Sequence, residues 1–332
     1  MGLSTSHGPE SMRNVWHEGE RRMQAAFGVE EKLRARGAAV LRDAMPDQHR
    51  DFFVGLRFVV LSALDNTGQP WPILRTGRPG FLTSPDARVL NIASRPMVSE
   101  PPDLCLGAGG KISVLGIELE TRRRNRMNGT IDAASSDGLA VRVDQSFGNC
   151  PRYIHQRDGL RHVATTADID VQTRRSQGKD LSAEDIAQIK TADMFFIASR
   201  APRMGDDPRA GVDVNHRGGQ PGFVKVLDDG TLIFPDYEGN KFFNTLGNIL
   251  LDPRVTLLLS DFVTGDMLTI AGLAEVVLET GNQRALFGAE RGVKMTPHRV
   301  LRARKALPLR YDRVEMSRDT PLPGAAANVP LR

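Results

Sequence analysis

The segment 231–253, TLIFPDYEGNKFFNTLGNILLDP, constrains the fold of this chain more than any other. Residues 231–234 follow an Asp-Asp-Gly turn and carry β-favouring side chains, which together predict a strand. After a polar break that contains Gly239, apolar residues return at helical spacing, and Pro253 ends the predicted helix. The apolar face of this helix is expected to carry Phe242, Leu246, Ile249 and Leu250.

The start of the predicted helix, at Gly239-Asn240-Lys241, is a candidate binding site. The first turn of a helix has N–H groups without intrahelical acceptors and lies at the positive end of the helix dipole. A lysine and amide side chains beside that end form a compact site for a phosphate monoester. The alternative is an ordinary helix start with a solvated lysine, and the segment alone leaves both open.

Strand signals surround this helix at hairpin-length spacing. The predicted strands are 194–199, 212–216, 222–226, 231–234, 254–260 and 267–278. Six short strands with one helix between the fourth and the fifth predict an antiparallel barrel, with the helix lying across a gap in it. The chain is accordingly expected to be mainly β (α+β).

The residues of this region resemble the pyridoxamine 5'-phosphate oxidase-like superfamily of FMN-binding split barrels. The resemblance covers about 192–280 and is carried by the runs Gly222-Phe-Val-Lys225, Gly239-Asn240-Lys241, Asp252-Pro-Arg-Val255 and Ala271-Gly272, with a strand that ends at Phe234. Each run is short, and they are specific only as a set. One departure is Gln220, which stands where the family often has an arginine. Arg217 or His216 is the candidate replacement.

The resemblance implies a flavin site in the second half of the chain. In the family, a strand lysine and a helix-start lysine bind the FMN phosphate, and these are Lys225 and Lys241 here. Residues at the end of the aromatic strand contact the ribityl chain and the ring. The predicted cofactor-binding residues are Lys225, Phe234, Pro235, Asp236, Tyr237, Asn240, Lys241, Asn244, Arg217, Arg124 and Arg126. No catalytic residue and no metal ligand is predicted.

The first half of the chain repeats the pattern of the second. Residues 58–63 align with 194–199, 79–81 with 221–223, and 112–129 with 255–272. Most of the remaining difference in length falls in 200–211, a turn-rich insertion. The predicted architecture is two tandem six-stranded antiparallel split β-barrels that form an FMN-binding pseudo-dimer, with peripheral helices. Chance alignment of two β-rich segments is the alternative.

The first barrel is expected to lack a phosphate site of its own. The segment 96–107, which corresponds to the phosphate helix, contains three prolines and no lysine, so a regular helix is excluded there. Split barrels usually pair, with the flavin held between two of them. A tandem chain can supply both partners itself.

The densest charge cluster, 121–126 (TRRRNR), lies in the first half. On a strand its side chains alternate, so Arg122, Arg124 and Arg126 share one face. Neighbouring arginines repel one another unless anions or carboxylates face them. Arg124 and Arg126 are therefore predicted to reach the flavin phosphate or an anionic substrate. The alternatives are a solvated edge strand protected by charge and a nucleic-acid contact.

Four regions are predicted: a helical extension (1–50), the first barrel (51–167), a linker helix (168–191) and the second barrel with a C-terminal tail (192–332). Helix signals at 29–41 and from Pro46 indicate helices that pack outside the first barrel. In the linker, Ser182-Ala-Glu-Asp185 fits an N-terminal capping box.

The loop 147–154, FGNCPRYI, combines Gly, Asn, Cys and Pro before an aromatic residue. One interpretation places this loop in the wall of the flavin site, with Arg152 and Tyr153 facing the substrate. The other is a buried Cys150 in a tight turn without a role in binding.

Composition narrows the classes of function. The 332 residues, 40% hydrophobic and 25% charged, suffice for two domains. A net charge of +4 with three tyrosines and two tryptophans suits small anionic ligands better than nucleic acid. The sequence shows neither an apolar run that could span a bilayer nor a signal-peptide core, so no membrane association and a cytoplasmic location are expected. Two cysteines do not favour a disulfide framework.

The predicted function is that of an FMN-binding flavoprotein, an oxidoreductase by resemblance. It would act on a small, anionic substrate with NAD(P)H or a reductase domain as electron donor. A true pyridoxamine phosphate oxidase is not expected, because its further arginine and histidine set has no clear counterpart. The alternative is a non-catalytic flavin- or haem-binding split barrel, or an electron-transfer partner. A homodimer is also expected, since split barrels commonly dimerise.

Overall fold

The computed structural model describes residues 15–164, 168–169, 172–205, 207–278 and 289–321. These residues form five helices: α1 (Glu18–Ala26), α2 (Glu30–Val40), α3 (Asp47–Gly55), α4 (Ala183–Thr191) and α5 (Asn244–Leu251). Antiparallel strands account for most of the other regular structure, so the chain is mainly β with peripheral helices, as predicted.

Seven strands of the first half form one antiparallel sheet. They are β1 (Phe58–Leu64), β2 (Pro70–Thr76), β3 (Leu82–Thr83), β4 (Val89–Ile92), β5 (Lys111–Glu118), β6 (Arg123–Ser135) and β7 (Gly138–Gly148). Their order across the sheet is β2-β1-β5-β6-β7-β4-β3. Two short strands follow, β8 (Gln156–Asp158) and β9 (Arg161–His162).

Eight strands form the sheet of the second half. They are β10 (Arg174–Gly178), β11 (Met194–Arg200), β12 (Val212–Gly218), β13 (Lys225–Val226), β14 (Leu232–Pro235), β15 (Arg254–Ser260), β16 (Met267–Leu278) and β17 (Arg291–Arg304). Their order is β12-β11-β15-β16-β17-β14-β13, with β10 alongside β17. The last strands, β18 (Leu309–Arg310) and β19 (Arg313–Glu315), pair back onto β9 and β8 of the first half.

The two sheets have the same strand order, and they meet reciprocally. Strand β12 contacts β5 and β1, while its counterpart β2 contacts β15 and β11. Such an exchange of equivalent contacts is the pattern of a twofold interface, here within one chain. The connection between β11 and β12 (201–211) is longer than that between β1 and β2 (65–69).

Two details of the sheets differ from the prediction of six-stranded barrels. Among the described residues, no strand pairing closes either sheet into a ring, and the sheets contain seven and eight strands.

The sequence analysis also missed β17, because arginines interrupt its apolar pattern. Carboxylates from distant segments neutralise them: Asp103 lies 2.9 Å from Arg299, and Asp266 lies 2.8 Å from Arg304.

Three large apolar clusters lie in and between the sheets. One belongs to the first half and includes Val114 and Met127, and another belongs mainly to the second half and includes Phe195 and Leu257. The third draws from both, with Phe58, Leu115, Phe196 and Leu258 among its buried members. The halves therefore share a core, and burial of that apolar surface holds them together.

The N-terminal helices divide between the two halves, and the sequence analysis did not predict α1. Helix α3 places Phe52 and Phe53 in the first-half cluster, but α1 packs on α5 of the second half. A Cβ added at Gly19 would lie 2.0 Å from the carbonyl oxygen of Gly247. Glycine at both positions lets the helix backbones meet directly.

The capping box predicted in the linker is confirmed at the start of α4. The Ser182 hydroxyl accepts from the Asp185 N–H at 3.2 Å, and the Asp185 carboxylate accepts from the Ser182 N–H at 2.7 Å. Within the described ranges, no helix is both long and apolar enough to cross a membrane.

Candidate functional site

A cleft of about 790 Å³, including its solvent-open mouth, lies at the junction of the two halves. The first half contributes Arg124, Asn149, Cys150, Arg152 and Tyr153. The second half contributes residues 215–218, Phe223, 235–237, 239–241, 243–246 and Arg291. The cleft is thus built where β6 and the loop after β7 face the end of β12 and the start of α5.

The lining of the cleft is strongly cationic. Its charged side chains are Arg124, Arg152, Arg217, Lys241 and Arg291 against the single carboxylate of Asp236. Like charges at such density repel one another, so the cleft favours a ligand that carries negative charge. Among the described residues, no group of three or more His, Cys, Asp or Glu side chains is arranged to hold a metal ion.

Asp236 lies between two of these arginines. Its carboxylate is 2.5 Å from the Arg217 guanidinium and 2.6 Å from that of Arg291. Arg291 is 3% exposed and stacks on the rings of Phe27 and Phe243, at 4.9 and 5.0 Å. Asp236 is thus shared by two guanidinium groups, and Arg291 has a second, more distant carboxylate neighbour in Glu290 at 3.9 Å.

Arg124 reaches across from the first half without an acidic partner. Its guanidinium donates to the carbonyl oxygens of Cys150 (2.8 Å) and His216 (3.2 Å), and no carboxylate in the described part of the chain pairs with it. Burial, followed by repulsion from Arg217 and Arg126, lowers the pKa of Arg124 to about 9. Arg124 is partly buried and stays a cation at neutral pH, and an anion beside it would offset the cost of burying its charge.

Arg126 lies beneath the cleft instead of lining it. Its guanidinium is 1% exposed and pairs with Asp213 at 2.5 Å. The same group donates to the side-chain oxygens of Asn215 (2.7 Å), Asn244 (3.2 Å) and Asn149 (3.5 Å). Arg126 thus orients three amides that line the cleft, and Asp213 compensates its charge.

Helix α1 also supports this floor through Glu20. The Glu20 carboxylate accepts from the side-chain amide of Asn244 and from the backbone N–H of His17. Burial raises the pKa of Glu20, while nearby His17 lowers it. The N-terminal extension is therefore part of the structure around the cleft.

Helix α5 begins at Asn244, later than the predicted start at 239–241. Lys241 and Phe243 both adopt left-handed backbone conformations, with φ of 60° and 62°, which a continuous α-helix does not permit. Asn240 caps a turn instead, because its side-chain oxygen accepts from the Phe242 N–H at 3.1 Å.

This turn also changes the predicted apolar face of the helix. Phe243 joins Leu246 and Ile249 in the second-half cluster, while Phe242 packs on Trp16. Leu250 is 45% exposed and does not belong to the buried face.

The first turn of α5 still offers hydrogen-bond donors to the cleft. Among the described residues, no acceptor faces the backbone N–H groups of Asn244, Thr245 and Leu246, all of which line it. Lys241 lines the same cleft, and its ammonium lies 3.3 Å from the carboxylate of Glu238.

Two tyrosines form an aromatic rim. The rings of Tyr153 and Tyr237 lie 5.1 Å apart, and the Tyr153 hydroxyl donates to the carbonyl oxygen of Glu238 at 2.8 Å. Burial, with a smaller effect of Tyr153, raises the pKa of Tyr237 to about 12. Tyr153 has a φ of 64°, so the contact with the second half holds a backbone conformation that is unfavourable for a tyrosine.

Eight of the predicted cofactor-binding residues line this cleft: Arg124, Arg217, Pro235, Asp236, Tyr237, Asn240, Lys241 and Asn244. The other three do not. Phe234 is a core residue, Arg126 lies beneath the floor, and Lys225 opens the edge strand β13, beyond the last lining residue of that segment, Phe223.

The sequence analysis missed Arg291, Asn215 and Glu20. No local motif marks these residues. Arg291 reaches the cleft because β17 pairs with β14, which places Gly292 opposite Pro235.

A scan against protein-family models finds no match, and a search of curated proteins finds none either. Solved structures do show similarity. A putative pyridoxamine 5'-phosphate oxidase from Lactobacillus delbrueckii is 17% identical, over 36% of this chain and 93% of that protein, with a TM-score of 0.28. The FAD binding protein from Mycobacterium smegmatis is 17% identical, over 38% and 98%, with a TM-score of 0.26.

HutZ, the heme storage protein from Vibrio cholerae, is 11% identical, over 37% of this chain and 93% of that protein, with a TM-score of 0.26. The predicted resemblance to pyridoxamine 5'-phosphate oxidase-like proteins is thus also found by structure comparison. Identities below 25% and TM-scores below 0.5 transfer neither a function nor a cofactor to this chain.

Proposed function

We propose that this protein is an FMN-binding flavoprotein with one flavin site, the cleft between two tandem split barrels. The observation that carries the proposal is the excess of cationic side chains in a cleft to which both halves contribute. FMN combines a phosphate monoester with a flat, polar ring system. The cleft offers both a site for an anion and an aromatic rim.

The phosphate is assigned to the start of α5. Three backbone N–H groups, the Lys241 ammonium and the Asn240 amide line this part of the cleft. Free N–H groups at a helix start bind phosphate through directed hydrogen bonds, and the helix dipole adds to the attraction. Arg124 and Arg217 supply further positive charge from the facing wall.

The flavin ring is assigned to the side of the cleft that holds Tyr153, Tyr237 and Phe223. Aromatic side chains bury a ring system efficiently, and the raised pKa of Tyr237 keeps its hydroxyl protonated as a hydrogen-bond donor. Bound flavin would supply hydride and electron transfer, and the protein would hold it in place, orient it and limit access of water.

Oxidoreductase activity towards a small anionic substrate is the further part of the proposal. Arg152, on the exposed side of the cleft, is the candidate to attract the substrate, and NAD(P)H or a reductase domain is the candidate donor. Anaerobic addition of NADH or NADPH to the FMN-loaded protein is expected to bleach the visible absorbance of the oxidised flavin, because hydride transfer reduces the ring. Retained absorbance with every donor would favour a flavin-binding protein without this activity.

The first test is the absorption spectrum of the purified protein, followed by heat release of any chromophore and its identification by mass. Released FMN at about one per chain supports the proposal. Two FMN per chain would contradict a single site, and a colourless protein that does not bind added FMN would contradict the function. A Soret band in place of flavin absorbance would favour haem.

A matched pair of variants tests the assigned phosphate site. Lys241→Glu places a negative charge beside the phosphate and is expected to abolish FMN retention, whereas Lys225→Glu makes the same change outside the cleft and is expected to retain FMN. Flavin content after gel filtration is the measurement. Normal flavin in Lys241→Glu, or equal losses in both variants, would contradict the site.

A further inference from the structure

The first half contains an arginine at the position of Arg217. In the pairing of β1 with β2, Arg75 lies opposite Val59. In the pairing of β11 with β12, Arg217 lies opposite Phe195. Because the two sheets have the same strand order, Arg75 and Arg217 occupy equivalent places in the two halves.

The surroundings of the two arginines differ. Arg217 shares the carboxylate of Asp236 with Arg291 and has a side chain 24% exposed in the open cleft, whereas the side chain of Arg75 is 2% exposed. The guanidinium of Arg75 contacts both oxygens of the Glu100 carboxylate, at 2.6 and 2.8 Å, and donates to the Ser94 carbonyl oxygen at 2.6 Å. The Nη2–Oε2 contact is a charge-assisted hydrogen bond, and the Nε–Oε1 contact is a close ion pair without hydrogen-bond geometry, so the Glu100 carboxylate neutralises Arg75.

Glu100 comes from the segment that replaces the phosphate helix. The chain between β4 and β5 contains no helix, whereas α5 occupies the equivalent connection between β14 and β15. In that segment the Met97 N–H donates to the Glu100 carboxylate at 2.8 Å, which closes a tight turn over Arg75.

The wall that faces Arg75 in the first half also carries no charge at the position equivalent to Arg124. Arg124 lies opposite Ile117 in the first sheet, and the equivalent position opposite Ser260 in the second sheet is Met267. Met267 packs with Met97 and Leu307 in the cluster that both halves share. Near Arg75, apolar side chains therefore occupy the place that the positively charged wall occupies in the open cleft.

We infer that the first half retains a second anion-binding site, of the size of a carboxylate, which the side chain of Glu100 occupies permanently. The chain thereby holds one open anion site and one that its own carboxylate keeps closed. This inference does not depend on which ligand the open cleft binds, because it is tested by the thermal stability of the protein without flavin.

Replacement of the built-in carboxylate by a small free one tests the inference. Glu100→Ala leaves Arg75 buried without a counter-ion, so its thermal midpoint is expected to fall below that of the wild type. Sodium formate is expected to raise this midpoint by more than it raises that of the wild type, and by more than equimolar sodium chloride does. Three non-hydrogen atoms limit formate to roughly millimolar affinity, so concentrations up to about 100 mM are needed.

A double variant separates binding at Arg75 from general salt effects. Arg75→Met with Glu100→Met removes both charges and is expected to show no formate-specific shift. If Glu100→Ala is recovered only as aggregate, its refolding yield in formate against chloride is the substitute measurement. An equal response to formate in Glu100→Ala, the double variant and the wild type would overturn the inference.

Discussion

At the scale of single residues, the site depends on which face of a strand each arginine occupies. Arg124 lines the cleft without a carboxylate partner, Arg126 is buried against Asp213, and Arg123 on the opposite face stacks on Phe52 at 4.6 Å. Three arginines within four positions thus have three different environments, and only Arg124 is free to meet a ligand.

Arg124→Ala is expected to weaken FMN binding about 10- to 100-fold, which corresponds to loss of a hydrogen bond to a charged group. Arg123→Ala, on the same strand, is the control and is expected to leave the affinity unchanged. Quenching of flavin fluorescence during titration measures both. Equal affinities of the two variants would show that Arg124 does not contribute to FMN binding.

The buried carboxylate of Glu20 makes stability depend on pH. Burial raises its pKa, so the folded state favours the protonated form, and the contribution of Glu20 is present at low pH and lost as pH rises through the folded-state pKa. Glu20→Gln removes this dependence, and its stability relative to the wild type is expected to increase between about pH 5 and pH 8.

Urea unfolding at both pH values measures this difference. Glu18→Gln is the control, because Glu18 lies on the same helix with a side chain that is 63% exposed. A pH-independent difference for Glu20→Gln, or the same trend in the control, would contradict the role assigned to Glu20.

At the scale of elements, the contact between α1 and α5 connects the N-terminal extension to the site. The two helices approach closely at Gly19 and Gly247, and this contact brings Glu20 to the first residue of α5. Displacement of α1 would therefore disturb Asn244, which lines the cleft, without substitution of any lining residue.

Gly19→Ala is expected to destabilise the protein by roughly 1–3 kcal/mol, because the added methyl group collides with the backbone of Gly247. FMN affinity is expected to fall as well. Gly55→Ala in α3 is the matched control, since a Cβ there meets nothing within 4 Å. This substitution is expected to raise the free energy of unfolding by up to about 1 kcal/mol. Calorimetry and FMN titration of both variants test this, and a neutral Gly19→Ala would contradict the close packing.

At the scale of the whole molecule, the shared core predicts that the two halves unfold together. The cluster that contains Phe58, Leu115, Phe196 and Leu258 draws on both sheets, and the cleft is complete only with residues from both. A single calorimetric transition is expected, and bound FMN should shift all of it to higher temperature. Two separate transitions, or an FMN shift of only one, would contradict this coupling.

Contiguous residues made much of this protein predictable from sequence. Strand β14, the turn with Asn240 and Lys241, and helix α5 follow one another in the chain, so local propensity and spacing suffice to place them near one another. The matching apolar segments of the two halves likewise anticipate two sheets with the same strand order. Short-range periodicity determines these features before any long-range contact forms.

Tertiary structure alone decided the rest, because strand register and helix packing set the environment of each charged side chain. Arg291 lines the cleft because β17 pairs with β14. Glu20 reaches Asn244 because α1 packs on α5. Arg126 lies beneath the cleft, where it pairs with Asp213. Helix α5 starts at Asn244, and not at 239–241 as predicted, because Phe242 and Phe243 pack into separate clusters. The apolar pattern of the sequence does not distinguish these two clusters. In the same way, tertiary structure sets the difference between Arg75 and Arg217: Glu100 covers Arg75 in the first half, whereas Arg217 shares Asp236 with Arg291 and lines the open cleft.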